Sequence, residues 1–516
     1  MCAALHSVER GSAAAHVPGP HTRMTENTTP DTPVAPLIPV ALSGDAPKFV
    51  TGSIMQHLLI MTGTSAIGLM AIFIGDLANM YFLSLLGDVE IVAAVGYASS
   101  IMFFATSIGI GLAIAATALV SPALGARDLA RARRLATNTH LASAVLSAIL
   151  AVVLWFMIPW LLTMFGAVGR THAFAQLYLS ILVPTLPMLA LGMASGGVLR
   201  SAGDAQRAMY VTLAGATVNV ILDPIFIFGL GLGIKGAAIA SALSRVAVMA
   251  VGLHGVIRVH NLMSRPNMAS ILHDIPAVAA IAFPAVAANI ATPVSNAYAT
   301  YAIAPYGDDA VAAWAIIGRI MPVAFGAIFA LSGAVGPILG QNLGARDPVR
   351  VHRSFVDALR ITAGFTLIAW AVLAIFSHPL AHAFSASPAT AELIRFNCLW
   401  VAPLFAFLGA LFVSNACFNT LGYAHYSTWF NWGRATLGTI PFVLAGGWLA
   451  GPKGILIGNM AGGIAFGLAA VWLCLRLIKG FAVGTTMETP SVAPQQADFS
   501  ARITHQGRSG RVDYDE

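Results

Sequence analysis

Charge is what this sequence has least of. Only 9% of its 516 residues are Asp, Glu, Lys or Arg, against roughly 25% in soluble globular domains. So few charges cannot clothe a chain of this length for water, which excludes a water-soluble globular protein and makes lipid its main solvent. Cysteine is scarce as well. Cys2, Cys398, Cys417 and Cys474 form no Cys-x-x-Cys pair, so they point to neither a disulfide framework nor a zinc site. The first 47 residues lack the apolar stretch of an ordinary signal peptide. No patch of basic and aromatic residues accompanies the net charge of +6 and the pI near 9.3, so no nucleic-acid partner is expected.

What is present is apolar. Hydrophobic residues make up 58% of the chain and the mean hydropathy is +0.79. A membrane-spanning helix needs about 20 such residues. Twelve runs qualify, near 54–86, 91–122, 135–165, 172–199, 207–230, 236–258, 273–305, 310–341, 355–385, 391–421, 427–450 and 454–478. Polar, Pro- and Thr-rich composition over 1–47 and a polar stretch over 480–516 predict disordered cytoplasmic tails. Met24 offers an alternative start.

Basic residues alternate between sides. Arg127, Arg131, Arg133 and Arg134, then Arg200 and Arg207, Arg258 and Arg265, Arg346, Arg350 and Arg353, and Arg434 fall in every second loop. The other loops hold Arg170, Lys235, Lys453 and Arg395. The asymmetry predicts that the arginine-rich loops and both termini are cytoplasmic, in a multi-pass inner (plasma) membrane protein.

The chain also repeats itself. Leu124-Gly125-Ala126-Arg127-Asp128 recurs as Leu343-Gly344-Ala345-Arg346-Asp347, a displacement of 219 (343 − 124) that also carries Pro184 onto Pro403 and Gly203 onto Gly422. With a shift of one or two residues, Gly87 meets Gly307 and Pro224 meets Pro441. Six helices per unit is an even number, so both units run the same way through the membrane. The expected fold is all-α integral membrane, twelve transmembrane helices in two six-helix pseudo-symmetric lobes, 48–262 and 263–479. That layout suits a transporter that carries its substrate between two rocking lobes.

These motifs, together with Leu199-Arg200-Ser201-Ala202-Gly203-Asp204 and the stretch from Asn219 through Asp223-Pro224 to Gly229, resemble the MATE family of multidrug and toxic compound extrusion proteins. The resemblance covers nearly all of residues 50–480. It implies cation-coupled antiport of organic, often cationic, compounds, and the Asp-Pro of the fifth helix looks like the DinF branch. The NorM-like branch has acids in its seventh and tenth helices; here those helices offer Asn289, Asn296, Asn415 and Asn419, which puts a sodium site of that type in doubt.

Charged groups inside a bilayer cost at least about 2.5 kcal/mol at mid-helix, so each needs a reason. Asp76, Asp223, Arg245 and Arg319 are the candidates. Asp223 is the leading proton carrier, with Asn219 one turn before it on the same face and Pro224 freeing backbone nearby. The family pattern carries Tyr178 and Ser241 into the same N-lobe proton site. It also puts Asn79 where the family usually has a first-helix acid, and Asp76, three residues earlier, is expected either to take over that role or to pair with a group such as Asn79. Arg245 and Arg319 read as structural. Gly229-x-Gly231-x-Gly233-x-x-Gly236 follows no strand and reads as a turn, not a nucleotide loop. His378 and His382 lack an evident third ligand.

The function expected is a secondary antiporter, not an enzyme. It would exchange a small organic cation for protons, as a monomer in membrane lipid. No cofactor is called for beyond the proton gradient, with sodium coupling and a flippase for lipid-linked sugars as alternatives.

Overall fold

The computed structural model describes residues 47–384 and 386–482. The tail expected at 1–47 lies outside the described residues except for its last position. That expected at 480–516 lies outside them beyond Ala482, to which the final helix extends.

Eleven described segments are long and apolar enough to cross a bilayer. The first seven are Ile54–Ser84, Val89–Gly125, Leu129–Met164, Gly169–Ser201, Ala205–Gly229, Gly233–Val259 and Met268–Tyr306. Gly326–Gly344, Pro348–Ile375 and Pro388–Thr420 follow. The last segment, Ala424–Phe481, is 58 residues long, far beyond one span. It doubles back at Ala450 and Gly451, whose backbone leaves the helical region, and so supplies the eleventh and twelfth helices. Gly446 faces Gly454 and Gly438 faces Gly462 across that hairpin with no room for a side chain. The eighth helix is broken: Asp308–Ala324 and Gly326–Gly344 meet at Phe325.

The repeat is visible in the backbone. Arg127 and Arg346 adopt φ 59° and 57°, and Gly203 and Gly422 adopt 81° and 85°. In each Leu-Gly-Ala-Arg-Asp loop the helix ends with the Ala, Arg and Asp amides bonded back to its last carbonyls, an arrangement that needs a left-handed residue. The Asp then caps the next helix, Asp128 accepting from the Arg131 amide at 2.9 Å and Asp347 from that of Arg350 at 2.9 Å. Pro184 and Pro403 both sit in single 3-10 turns, since proline removes a helix donor.

The two lobes touch most tightly at the arginine-rich end. A methyl group on Gly125 would overlap the Gln341 backbone, and one on Gly344 would overlap the Pro122 carbonyl. The segment before the first helix is strapped across this seam. Gln341 accepts from the Phe49 amide at 2.8 Å and donates to the Ser201 carbonyl at 2.7 Å, while Arg350 donates to the carbonyls of Phe49 and Gly52 at 2.8 and 3.1 Å. Asp274 of the seventh helix joins the third helix through Arg134 at 3.2 Å and Asn138 at 2.7 Å.

Two arginines lie elsewhere than expected. Arg434 is a buried residue of the helix Ala424–Ala435, not a loop residue, and its guanidinium donates to Thr292 at 3.2 Å. Arg200 is in the last turn of the fourth helix and faces the interior. The hydropathy pattern locates a span but not the direction a side chain takes from its end.

Candidate functional site

Small residues on the first helix set up the site. Gly75 rests on Ala216 of the fifth helix at 3.6 Å, and a methyl on Gly68 would overlap Thr212. This close approach puts Asn79, one turn beyond Gly75 on the same face, against the end of the fifth helix. There its side-chain amide donates to Asp223 Oδ2 at 2.8 Å. Asn219 donates to the same oxygen at 3.3 Å. Asp223 is fully buried, and among the described residues no cation pairs with it. Its Oδ1 and the Oδ1 of Asn219 are both buried without a hydrogen-bond partner. The cluster therefore holds two acceptors and no donor for them, a costly state in a dry interior. Immediately after Asp223, Pro224 leads into the five-residue π-helical turn Ile225–Gly229.

In front of this cluster lies a cavity of about 1630 Å³ between the lobes, larger than the roughly 300–1,000 Å³ of ordinary small-molecule sites. Asp76, Asn79, Tyr178, Asn219 and Ser241 all line it. Asp223 stands directly behind Asn79 and Asn219. Tyr178 lies beside Ser241 and Arg245. All six expected residues are thus gathered in one lobe wall. Asp76, however, makes no bond to Asn79: it faces the cavity without a hydrogen-bond partner among the described residues, while the Asn79 amide is committed to Asp223.

Among the described residues the other lobe lacks this cluster. By the repeat, Asp223 corresponds to Ile440 and Asn79 to Ala299, and the matching helices are joined instead by Ser295 and Thr439 at 3.2 Å. Its wall carries Asn289, Asn415, Asn419, Arg319, Phe329 and Phe412. Arg245 has a structural task, since it donates to the Leu182 carbonyl at 2.9 Å and to Thr185 at 3.0 Å beside the 3-10 turn. Arg200 and Arg319 also line the cavity, and neither guanidinium has a hydrogen-bond or ion-pair partner among the described residues. Sequence reasoning missed Arg200, whose one signal was its place at the end of an apolar run.

Comparison with known proteins gives one consistent result. The family model MatE matches residues 64–225 and 284–444, one stretch in each lobe. The FAD transporter of Shewanella oneidensis is 29% identical over 442 residues, covering 84% of this chain and 97% of that protein. The multidrug export protein MepA of Staphylococcus aureus is 25% identical over 354 residues, covering 66% of this chain and 75% of that protein. Among solved structures, the Vibrio cholerae MATE transporter VcmN in its bent form superposes with a TM-score of 0.78 at 26% identity, over 83% of this chain and 98% of that one.

Proposed function

Since this chain belongs to the MATE family of membrane transporters, we propose that it is a secondary antiporter exporting small organic compounds in exchange for protons. The observation that carries the reading is the pair of orphaned oxygens around Asp223. A proton on the carboxyl supplies the donor that Asp223 and Asn219 lack, so protonation rewrites the hydrogen bonding of the wall that Asn79 and Asn219 present to the cavity. No bound nucleotide is needed to drive such a cycle; the proton gradient suffices.

The arginine-rich end is taken as cytoplasmic, by the positive-inside bias, in the plasma membrane. The glycine seam and the strap then close the cytoplasmic side, while the cavity reaches the opposite end at Met80, Leu380 and Phe384. This is the state in which Asp223 takes a proton from outside and cargo leaves. The lobes then rock, the seam opens, the proton is released inside and new cargo enters. Asp76, exposed in the cavity, serves as the second acid on this route. A relative named for FAD transport supports a sizeable aromatic cargo.

Proteoliposomes loaded with ethidium or FAD test the reading. Imposing an inward proton gradient is expected to accelerate efflux of at least one of them, and a sodium gradient is not. Acceleration by sodium alone, or by neither ion, contradicts it.

A further inference from the structure

The charge of the cavity wall is positive. Its described lining holds three arginines, Arg200, Arg245 and Arg319, against one acid, Asp76. The formal excess is two (3 − 1). Arg245 is bonded only to a carbonyl and a hydroxyl, so its charge is uncompensated, and Arg200 and Arg319 have no partner of any kind among the described residues. One layer behind the wall, Arg434 of the second lobe, its Nε buried and unpaired, is matched in number by Asp223 of the first, so the excess on the wall stands at two.

Arg200 has its Nε buried and unpaired while Arg319 stands exposed to the cavity, and each guanidinium offers five donors in a fork that fits phosphate oxygens. A cationic cargo entering this space would meet like charge, with Asp76 the one described acid on the wall to offset it. An anion would supply what the wall lacks. The remaining surface is apolar and aromatic, with Phe103, Phe329 and Phe412 among the lining side chains, which suits a planar body.

We propose that the cargo is an amphipathic aromatic organic anion bearing a phosphate group, whose charge of about −1.5 to −2 at pH 7 matches the excess on the wall. Arg200, at the closed end in the first lobe, and Arg319, in the second, supply the positive field that draws the anion in, while the phenylalanines offer the ring apolar surface. This departs from the organic cation that the family resemblance implies. It rests on the cavity being the transport route, but not on Asp223 being the coupling group.

Three fluorescent probes decide it with the full-length protein in detergent. Riboflavin and FMN share one ring system and differ by a phosphate; ethidium is an aromatic cation. FMN is expected to bind about ten-fold or more tighter than either of the others, as charge-assisted bonds to phosphate require. Arg200→Gln with Arg319→Gln is expected to bring FMN down to the affinity of riboflavin and leave riboflavin unchanged, whereas Arg→Lys at both positions retains part of the preference. Binding in detergent needs no ion gradient, so this assay reads charge recognition separately from proton coupling, which only transport across a membrane reports. Failure of FMN to bind, equal binding of FMN and riboflavin, tighter binding of ethidium, or indifference to the arginine substitutions overturns the proposal.

Discussion

Asn79 and Asp223 are 144 residues apart in the chain, and their side chains meet at 2.8 Å in a contact that no cation shares among the described residues. Gly68 and Gly75 make it possible by letting the first helix settle onto the fifth. Replacing Asn79 by Ala removes the shorter of the two hydrogen bonds to a fully buried carboxyl. The expected cost is about 1–3 kcal/mol, read as a lower melting temperature of the purified protein. An unchanged melt would mean that this bond stabilises nothing.

The seam between the second and eighth helices predicts a conformational mutant. Gly344→Ala puts a methyl into the Pro122 carbonyl, so the closed arrangement of the arginine-rich end cannot form. A cysteine replacing Ser121, which is fully buried, should resist a membrane-impermeant maleimide in the parent and react readily beside Gly344→Ala. Equal protection in both would show that the seam does not govern access.

Arg350 anchors the strap through Phe49 and Gly52, and Lys48 ties its other side to the Gly203 carbonyl at 3.1 Å. Arg350→Ala should loosen the strap and speed tryptic cleavage after Lys48 by about ten-fold or more, since proteolysis follows local opening. A cleavage rate equal to that of the parent would assign closure to the glycines alone.

Asp204, outside the spans, gives a prediction with pH. Burial alone would raise its carboxyl, but the Arg207 amide and guanidinium and His260 outweigh that and hold it below its ordinary 3.8. A depressed carboxylate contributes stability that is full above its unfolded value and lost as pH falls through the folded one. Asp204 also caps the fifth helix, accepting from the Arg207 amide at 3.0 Å. Asp204→Ala should therefore cost about 1 kcal/mol near neutral pH, with the gap from the parent narrowing only below pH ~3.8. A gap that closes between pH 7 and 5 would contradict this assignment.

Spans and repeat were legible because both are written in local chemistry: apolar runs of membrane length, and a loop that must stop one helix and cap the next. Arg127 and Arg346 share their left-handed φ as they share their motif. Asp223 stood out because an acid amid apolar residues demands a reason. The family pattern brought Asn79 into the site but not as the partner of Asp223, since Asn79 and Asp76 are three residues apart and the sequence groups them on one face, whereas the glycine contacts below Asn79 turn it to the fifth helix and leave Asp76 to the cavity. The break at Phe325 was hidden inside a continuous apolar run, although Pro322 and Gly326 flank it. Asp274 went unnoticed because it lies near a helix end, where acids are ordinary; only the packing of the third helix against the seventh makes it a bridge. Arg200 and Arg434 were hidden for the same reason, for charge at the edge of a span reads as loop until the fold gives its direction.

The coupling role of Asp223 is tested most directly by Asp223→Asn in proteoliposomes, with exchange across equal pH compared with transport driven by an imposed proton gradient. The amide keeps the volume and cannot release a proton. Exchange without a gradient should persist, and acceleration by the gradient should vanish. If Asp223→Asn vesicles still respond to the proton gradient as the parent does, the proton is carried elsewhere and the account is wrong at its centre.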